Sequence, residues 1–455
     1  MSPRWALAWR NLRRNRRRSV LTGLAIGLGA AALVLLGGYA SHQERGLRAS
    51  TVYLDHTGHL QIHARGGLER AAQEPRKYGL DAARVAAIEA ALAREPRVEL
   101  VARYLRGTGL IGNGCKTVPF IGLGVDPAVE ARLAAHPEVQ AAAPGIGRLT
   151  RGRELAAFPQ VQGPIALAGG LARLLGKTRV HDDLAKGAPA EVLPLPDCAA
   201  PDIAATLAAD AYVQLAALTQ RGELNAVDGE VVALYDTPLA TTADTALTTD
   251  VATLQSLLDT DAVTWLSVYL TDADGVAAYA SDLEGRLRAQ GLDVDVDTFD
   301  DPRVSPYYSG TMRFVGSLVR FVRLLVLVAV ALSVANVTTL SVIERTRELG
   351  TLRALGFTRR AVTGLLTREA AALAAVSAAL GLAFAFAVAG VVDALDLRFT
   401  PPGASTPQLL ALTPSLGACA FAVAELVPLS VLAAWLAVRR TTQESVISLL
   451  GAVAA

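Results

Sequence analysis

The chain has 455 residues, 52% hydrophobic and 19% charged, with a formal net charge of +1. So apolar a balance excludes an ordinary soluble enzyme of this length, and the same counts exclude disorder and collagen-like repeats. Three cysteines are too few to staple the fold with disulfides.

Residues 1–18 carry seven arginines and no acid. Span one follows at 19–41, beginning SVLTGLAIGLGAAALVLLGG, an uncharged run of 23 residues. That is long enough to cross a ~30 Å hydrocarbon core and longer than the 7–15-residue middle of a signal peptide. Within it GLAIG at 23–27 is a pair of small residues four apart, a pattern that permits close helix approach.

Residues 42–311 have ordinary globular composition. Alternating or β-branched runs predict strands at 59–64, 116–125, 230–236, 265–272 and 292–299, and helical patterns fall at 80–95, 250–259 and 275–290. A mixed α+β domain is the economical reading. GGLARLLGKT at 169–178 resembles a phosphate loop, but Gly170 and Gly176 enclose five residues where that loop needs four. His59 and His63 share a strand face yet would stand about 13 Å apart, too far for one ion, so hydrogen-bonded or solvated histidines are expected there. Cys115 and Cys198 fall in the same external region, where a disulfide is chemically allowed, while Cys419 lies in a span.

A stalk and span two are expected at 312–343. Met312, Val315, Val319 and Val322 recur at three- and four-residue steps and predict a broad apolar helix face suited to packing against a partner chain. A charged loop follows at 344–369, then span three at 370–392, a short loop at 393–410, span four at 411–438 and a tail at 439–455. Asn336 and Glu425 are polar groups at membrane depth, which by default face inward or serve function.

Arginine sets the orientation. The loop 344–369 carries six arginines, and Arg439 and Arg440 follow span four, so these segments and both termini are expected in the cytoplasm. Residues 42–323 carry 35 acids against 27 bases, about −8, and are expected outside. The fold class is thus a membrane protein of four transmembrane α-helices with a large α+β extracytoplasmic domain inserted between the first and second. Arg313, Arg320 and Arg323 depart from this pattern at the outer end of span two.

The densest signal is SVIERTRELGTLRALGFTRRAV at 341–362. Its alternating charges surround Leu349, Leu352, Leu355 and Phe357, giving an amphipathic helix suited to a groove on another protein. Glu344 and Glu348 stand four apart, which on one helix is one face, and Gly350 and Gly356 would allow turns at its ends.

This segment closely resembles the coupling region of FtsX-like permeases, the membrane subunits of ABC transporters of the MacB and lipoprotein-releasing (LolC/LolE) type. The family pattern S-V-x-E-R-T-R-E-I-G-x-L-R-A-L-G is matched except for Leu349 at the isoleucine. WRNLRRN at 9–15 resembles the family's amphipathic entry helix, and TGHLQIHARG at 57–66 and IGLGVDP at 121–127 resemble strands of its MacB-like periplasmic core. Pro428 resembles a feature of the fourth span, whereas the tail RRTTQESVISLLG departs from the usual ending.

The resemblance implies a non-catalytic subunit in the bacterial inner membrane, with no cofactor of its own. ATP and Mg would be bound by a separate dimeric ATPase, docked through Glu344, Arg345, Thr346, Arg347, Glu348, Leu349, Gly350, Leu352, Arg353, Leu355 and Gly356. It further implies a second permease chain, identical or related, contact with membrane lipids, a periplasmic carrier or adaptor, and no nucleic acid. Work would pass by mechanotransmission from the ATPase through span two to the outer domain. The opening of that domain is most similar to lipoprotein-releasing members. MacB-like efflux, or FtsX-like activation of a cell-wall hydrolase, is the alternative.

Overall fold

Short apolar strands with one or both faces buried need partners, and here ten of them pair into one mixed sheet. The computed structural model describes residues 16–142, 149–186, 210–237, 240–400 and 407–441. The chain forms two compact units. One comprises residues 1–44, 312–398 and 409–455; the other comprises 45–311 and 399–408.

The α+β unit holds strands β1 (Leu60–Ala64), β2 (Val98–Gly112), β3 (Thr117–Val125), β4 (Leu149–Gly152), β5 (Pro164–Ala168), β6 (Tyr212–Leu218), β7 (Leu224–Tyr235), β8 (Ala246–Asp250), β9 (Trp265–Leu270) and β10 (Val294–Thr298). They run in the order β10-β1-β9-β2-β3-β8-β5-β7-β4, with β6 joining β2 to β7. All five predicted strands are present. The strand that organises the sheet was not predicted. β2 pairs β9 through Val98–Tyr104 and β3 through Leu105–Gly112, spanning both halves. Its sequence, VELVARYLRGTGLIG, hides the strand because three glycines and two arginines interrupt the alternation. One of those glycines has a clear reason: a Cβ on Gly109 would stand 2.3 Å from the Ala216 carbonyl oxygen of β6.

Two large apolar clusters cover most of the sheet, and a smaller one of Phe158, Ala166, Val232 and Ala233 lies on β5 and β7. Leu60, Ile62, Val268 and Val296 pack with helices over Ala82–Leu92 and Val276–Ala289. Ile111, Phe120, Ile165, Leu215 and Val231 pack with Leu171 and Leu254 from helices Gly169–Leu174 and Val251–Leu258. The loop resembling a phosphate cradle contributes to this second core. Lys177 is 1% exposed and its Nζ meets Asp210 Oδ1 at 2.5 Å, which makes it a structural cation.

His59 and His63 are 2% and 3% exposed. His59 Nδ1 accepts the Leu270 N–H at 3.0 Å, so that nitrogen is unprotonated; His63 Nε2 and Gln61 Oε1 lie 3.0 Å apart. Burial pushes both imidazoles down to about 4. The folded pKa lies below the unfolded value of ~6.5, so the folded state binds fewer protons between these limits. Stability is therefore full above about pH 6.5 and is lost as pH falls toward 4, by on the order of 5 kcal/mol for the pair. Denaturant titration at pH 7 and pH 4.5 is expected to show a lower midpoint at pH 4.5. His59→Gln with His63→Gln should flatten that difference.

Among the described residues, four helices are long and apolar enough to cross a membrane. They are α1 (Arg16–Ala49), α2 (Pro306–Glu344), α4 (Arg359–Ala394) and α5 (Leu416–Thr441), with a short α3 (Thr346–Ala354) between α2 and α4. Span four was expected from residue 411, but α5 starts at Leu416. Pro414 disfavours helix in the residue before it, and the Ser415 hydroxyl accepts the Ala418 N–H at 3.0 Å as the cap. The four helices share a core of Ile26, Ala30, Val330, Val334, Ala374, Ala378, Leu426 and Ala434. Small residues set the approach of α1 to α4: a Cβ on Gly381 would fall 2.1 Å from the Gly27 carbonyl oxygen. This is the use of the GLAIG pattern.

Candidate functional site

The charged segment after α2 folds as a braced helical turn. α2 stops at Glu344, and Arg345 leaves helical geometry with φ −95° and ψ 12°. The Thr346 hydroxyl donates back to the Val342 and Ile343 carbonyls at 3.1 and 2.6 Å, serving acceptors that the broken helix would orphan. Arg345 lies largely buried, its Nη1 3.2 Å from Glu369 Oε2 and its Nε 3.1 Å from Glu348 Oε2. One guanidinium thus ties the start of α3 to the first turns of α4. Because Arg345 ends one helix and opens the next, Glu344 and Glu348 belong to different helices and not to the single expected face.

Leu349 is 5% exposed, in a cluster with Val342, Val362, Leu366 and Val438, and Leu352 packs against it. Both leucines were expected to dock into a partner; Leu349 is buried in this chain's own core, and Leu352 is half-buried against it. Truncating Leu349 to Ala should cost about 2–5 kcal/mol in a packed interior. Thermal unfolding in detergent is expected to fall for Leu349→Ala and to stay near wild type for Leu355→Ala.

Gly350 is buried inside α3 and not at its end. Gly356 does end the helix, with φ +95°, and the Gly356 and Phe357 N–H groups bond the Arg353 and Leu352 carbonyls, both at 3.1 Å. That paired closure is the Schellman pattern, which needs a residue free to adopt positive φ. The closure drives the flanking side chains outward: Leu355 is 73% exposed and Phe357 52%. Thr358 then caps α4 by accepting the Ala361 N–H. Arg347 at the start of α3 and Arg359 and Arg360 at the start of α4 are exposed, and Arg353 is half-buried with a buried Nη1 that has no hydrogen-bond partner. Two large exposed apolar side chains in a segment with these exposed arginines form a surface suited to an acidic groove.

Residues 320–446, which include this turn, match the family model described as FtsX-like permease C-terminal. Its C-terminal region is that of an FtsX-like permease. No curated protein matches the chain. Among solved structures, it is similar to the periplasmic region of MacB from Actinobacillus actinomycetemcomitans, at 11% identity and TM-score 0.32, covering 53% of this chain and 88% of that one. It is also similar to the extracellular domain of the noncanonic ABC-type transporter YknZ from Gram-positive bacteria, at 11% identity and TM-score 0.30, covering 52% and 99%.

Elsewhere in the chain the structure gives Glu425 a partner. Its Oε1 is paired with Arg323 Nη2 of α2, and the Arg323 guanidinium lies 4.4 Å from the centre of the Phe421 ring. One contact therefore accounts for both the acid in span four and one of the arginines that depart from the positive-inside pattern. Met312, Val315, Val319 and Val322 are half-buried, so the fully open side of α2 is a different one, which includes Phe314, Leu318 and Phe321. Asn336, expected to face inward or to serve function, does not face inward: it is exposed. Cys115 is disulfide-bonded, Cys198 lies outside the described residues, and Cys419 is free and buried.

The Arg345–Glu369 brace and the inward turn of Leu349 were not read from the sequence. The available signal for the first was Glu369, an acid placed where span three begins.

Proposed function

We propose that this chain is the permease subunit of an ABC transporter that works by mechanotransmission, driven by a separate ATPase and releasing lipoproteins from the bacterial inner membrane. The observation that carries the reading is the braced turn at 341–362, a motif-dense helix whose apolar tip points away from its own chain. Its arginines and those at 439–440 support a cytoplasmic position, and the negative balance of 42–323 supports an external one. ATP-driven closure of the ATPase pair would move α3, the brace would pass the movement to α2 and α4, and α2 would carry it outward.

Lipoprotein release rests on the TGHLQIHARG opening of the α+β domain, whose residues 60–64 form the fully buried β1. Purification from native membranes with identification of bound chains tests the reading. A nucleotide-binding ATPase together with lipoprotein is the expected result. An ATPase with a periplasmic adaptor would favour efflux, an ATPase with a cell-wall hydrolase would favour activation, and no ATPase would defeat the proposal.

A further inference from the structure

A threonine inside a helix can return its hydroxyl to a carbonyl one turn back, as Thr339 does to Ala335 and Thr367 to Thr363, both at 2.8 Å. Thr22 of α1 does not. It is 3% exposed, and its Oγ1 is buried with no hydrogen-bond partner among the described residues. A hydroxyl stranded inside a span is costly unless something meets it. Thr22 lines a cavity of about 70 Å³ between α1, α2 and α4. One water needs about 10–15 Å³ of such space, so several water-sized groups fit. The lining is graded. Ser19, Ser341 and Glu369 stand at the ends of three apolar runs, with Thr22 and Thr338 one turn in. Ile26 and Val334 line the cavity seven residues further along than Ser19 and Ser341, about 10 Å deeper. The polar end therefore lies where lipid headgroups lie, and the apolar end lies within the hydrocarbon.

We propose that this cavity binds the primary ammonium headgroup of an aminophospholipid, its charge set against Glu369 and an N–H donated to the Thr22 hydroxyl. The chemistry of the lining chooses the ligand. Among these lining residues the one charged side chain is Glu369, which also holds Arg345 at 3.2 Å. An ionised carboxylate accepts and cannot donate, so it disfavours an anion and favours a group that brings N–H donors and positive charge. A primary ammonium has three donors, enough for the carboxylate and for hydroxyls such as those of Thr22 and Ser341. A quaternary ammonium has the same charge and no N–H, so the site should discriminate between the two. The depth chooses the source, because a headgroup is held at this level by its own acyl chains. The inference requires only that the four helices span a membrane, and it stands apart from the identity of any ATPase or exported substrate.

Native mass spectrometry of the full chain, purified in detergent and stripped of lipid, tests this by titration with phosphatidylethanolamine and with phosphatidylcholine of the same acyl chains. Phosphatidylethanolamine is expected to bind about tenfold more tightly, the scale of one hydrogen bond to a charged group. Thr22→Val, which exchanges the hydroxyl for a methyl, should reduce that preference severalfold and leave phosphatidylcholine binding unchanged. Glu369→Gln should abolish it. Because Glu369 also holds Arg345, unfolding temperature is read alongside; Thr22 makes no contact with that brace, so Thr22→Val decides the matter if Glu369→Gln fails to fold. Free ethanolamine should not displace the lipid at equal concentration. Equal binding of the two lipids, or a Thr22→Val variant with the full preference, would overturn the inference. Displacement by ethanolamine mole for mole would overturn the lipid as the source. No ATPase takes part in the measurement, so a negative result leaves the permease reading intact, and a permease that captures no ATPase leaves this site intact.

Discussion

If the turn at 341–362 docks an ATPase as proposed, Leu355→Asp combined with Phe357→Asp is expected to release it at least thirtyfold more readily while leaving this chain folded. The two side chains are 73% and 52% exposed and touch no part of their own core cluster, so replacing them removes little stability. At a partner's surface their worth is different. A central apolar anchor typically contributes 2 kcal/mol or more to binding, and each 1.4 kcal/mol is tenfold. The substitutions also add two acids to a segment whose Arg347, Arg359 and Arg360 are exposed, offsetting most of the positive charge that an acidic groove would meet. Affinity capture of the ATPase in detergent, with unfolding temperature as a control, checks both halves. Unchanged capture would move the docking surface elsewhere.

If α2 carries ATP-driven work outward as proposed, Gly316→Pro should abolish that work without loss of ATPase binding. α2 is one helix of 39 residues, Pro306–Glu344, so at 1.5 Å per residue it is about 58 Å long, well beyond a ~30 Å hydrocarbon core. A proline at 316 removes the bond to the residue 312 carbonyl and clashes with it, a cost of ~3 kcal/mol or more and a kink. Apart from its chain neighbours and its own helix backbone, no heavy atom lies within 4 Å of a Cβ built on Gly316, so Gly316→Ala should behave as wild type and isolate the backbone effect from packing. Measured release of substrate from proteoliposomes should fall by an order of magnitude or more for the proline and stay unchanged for the alanine. Normal release by Gly316→Pro would show that force does not travel along this helix.

The features legible in the sequence are those with a strong local cause. Four apolar runs, each of twenty residues or so, and strands such as WLSVYL and LQIHA need no knowledge of their neighbours. Gly356 announced the end of α3 because positive φ is costly for other residues. What escaped depends on contacts remote in sequence. β2 is a strand because β9, β3 and β6 surround it, and Gly109 fits because Ala216 comes close. Leu349 and Leu355 look alike in the motif, yet one is core and the other surface, decided by Val362, Leu366 and Val438, which lie up to 89 residues away. Glu425 had an unknown partner until α2 brought Arg323 beside it across 102 residues.

Placing a photo-crosslinking residue at Phe357 in intact membranes tests the central claim most directly. If the turn at 341–362 is where an ATPase engages this permease, illumination should yield one dominant adduct, its partner a nucleotide-binding ATPase, and yield should change when ATP is exhausted. The same residue at Thr245, in the α+β domain, should give none of that adduct. No ATPase adduct from position 357, or equal yield from both positions, would contradict the account.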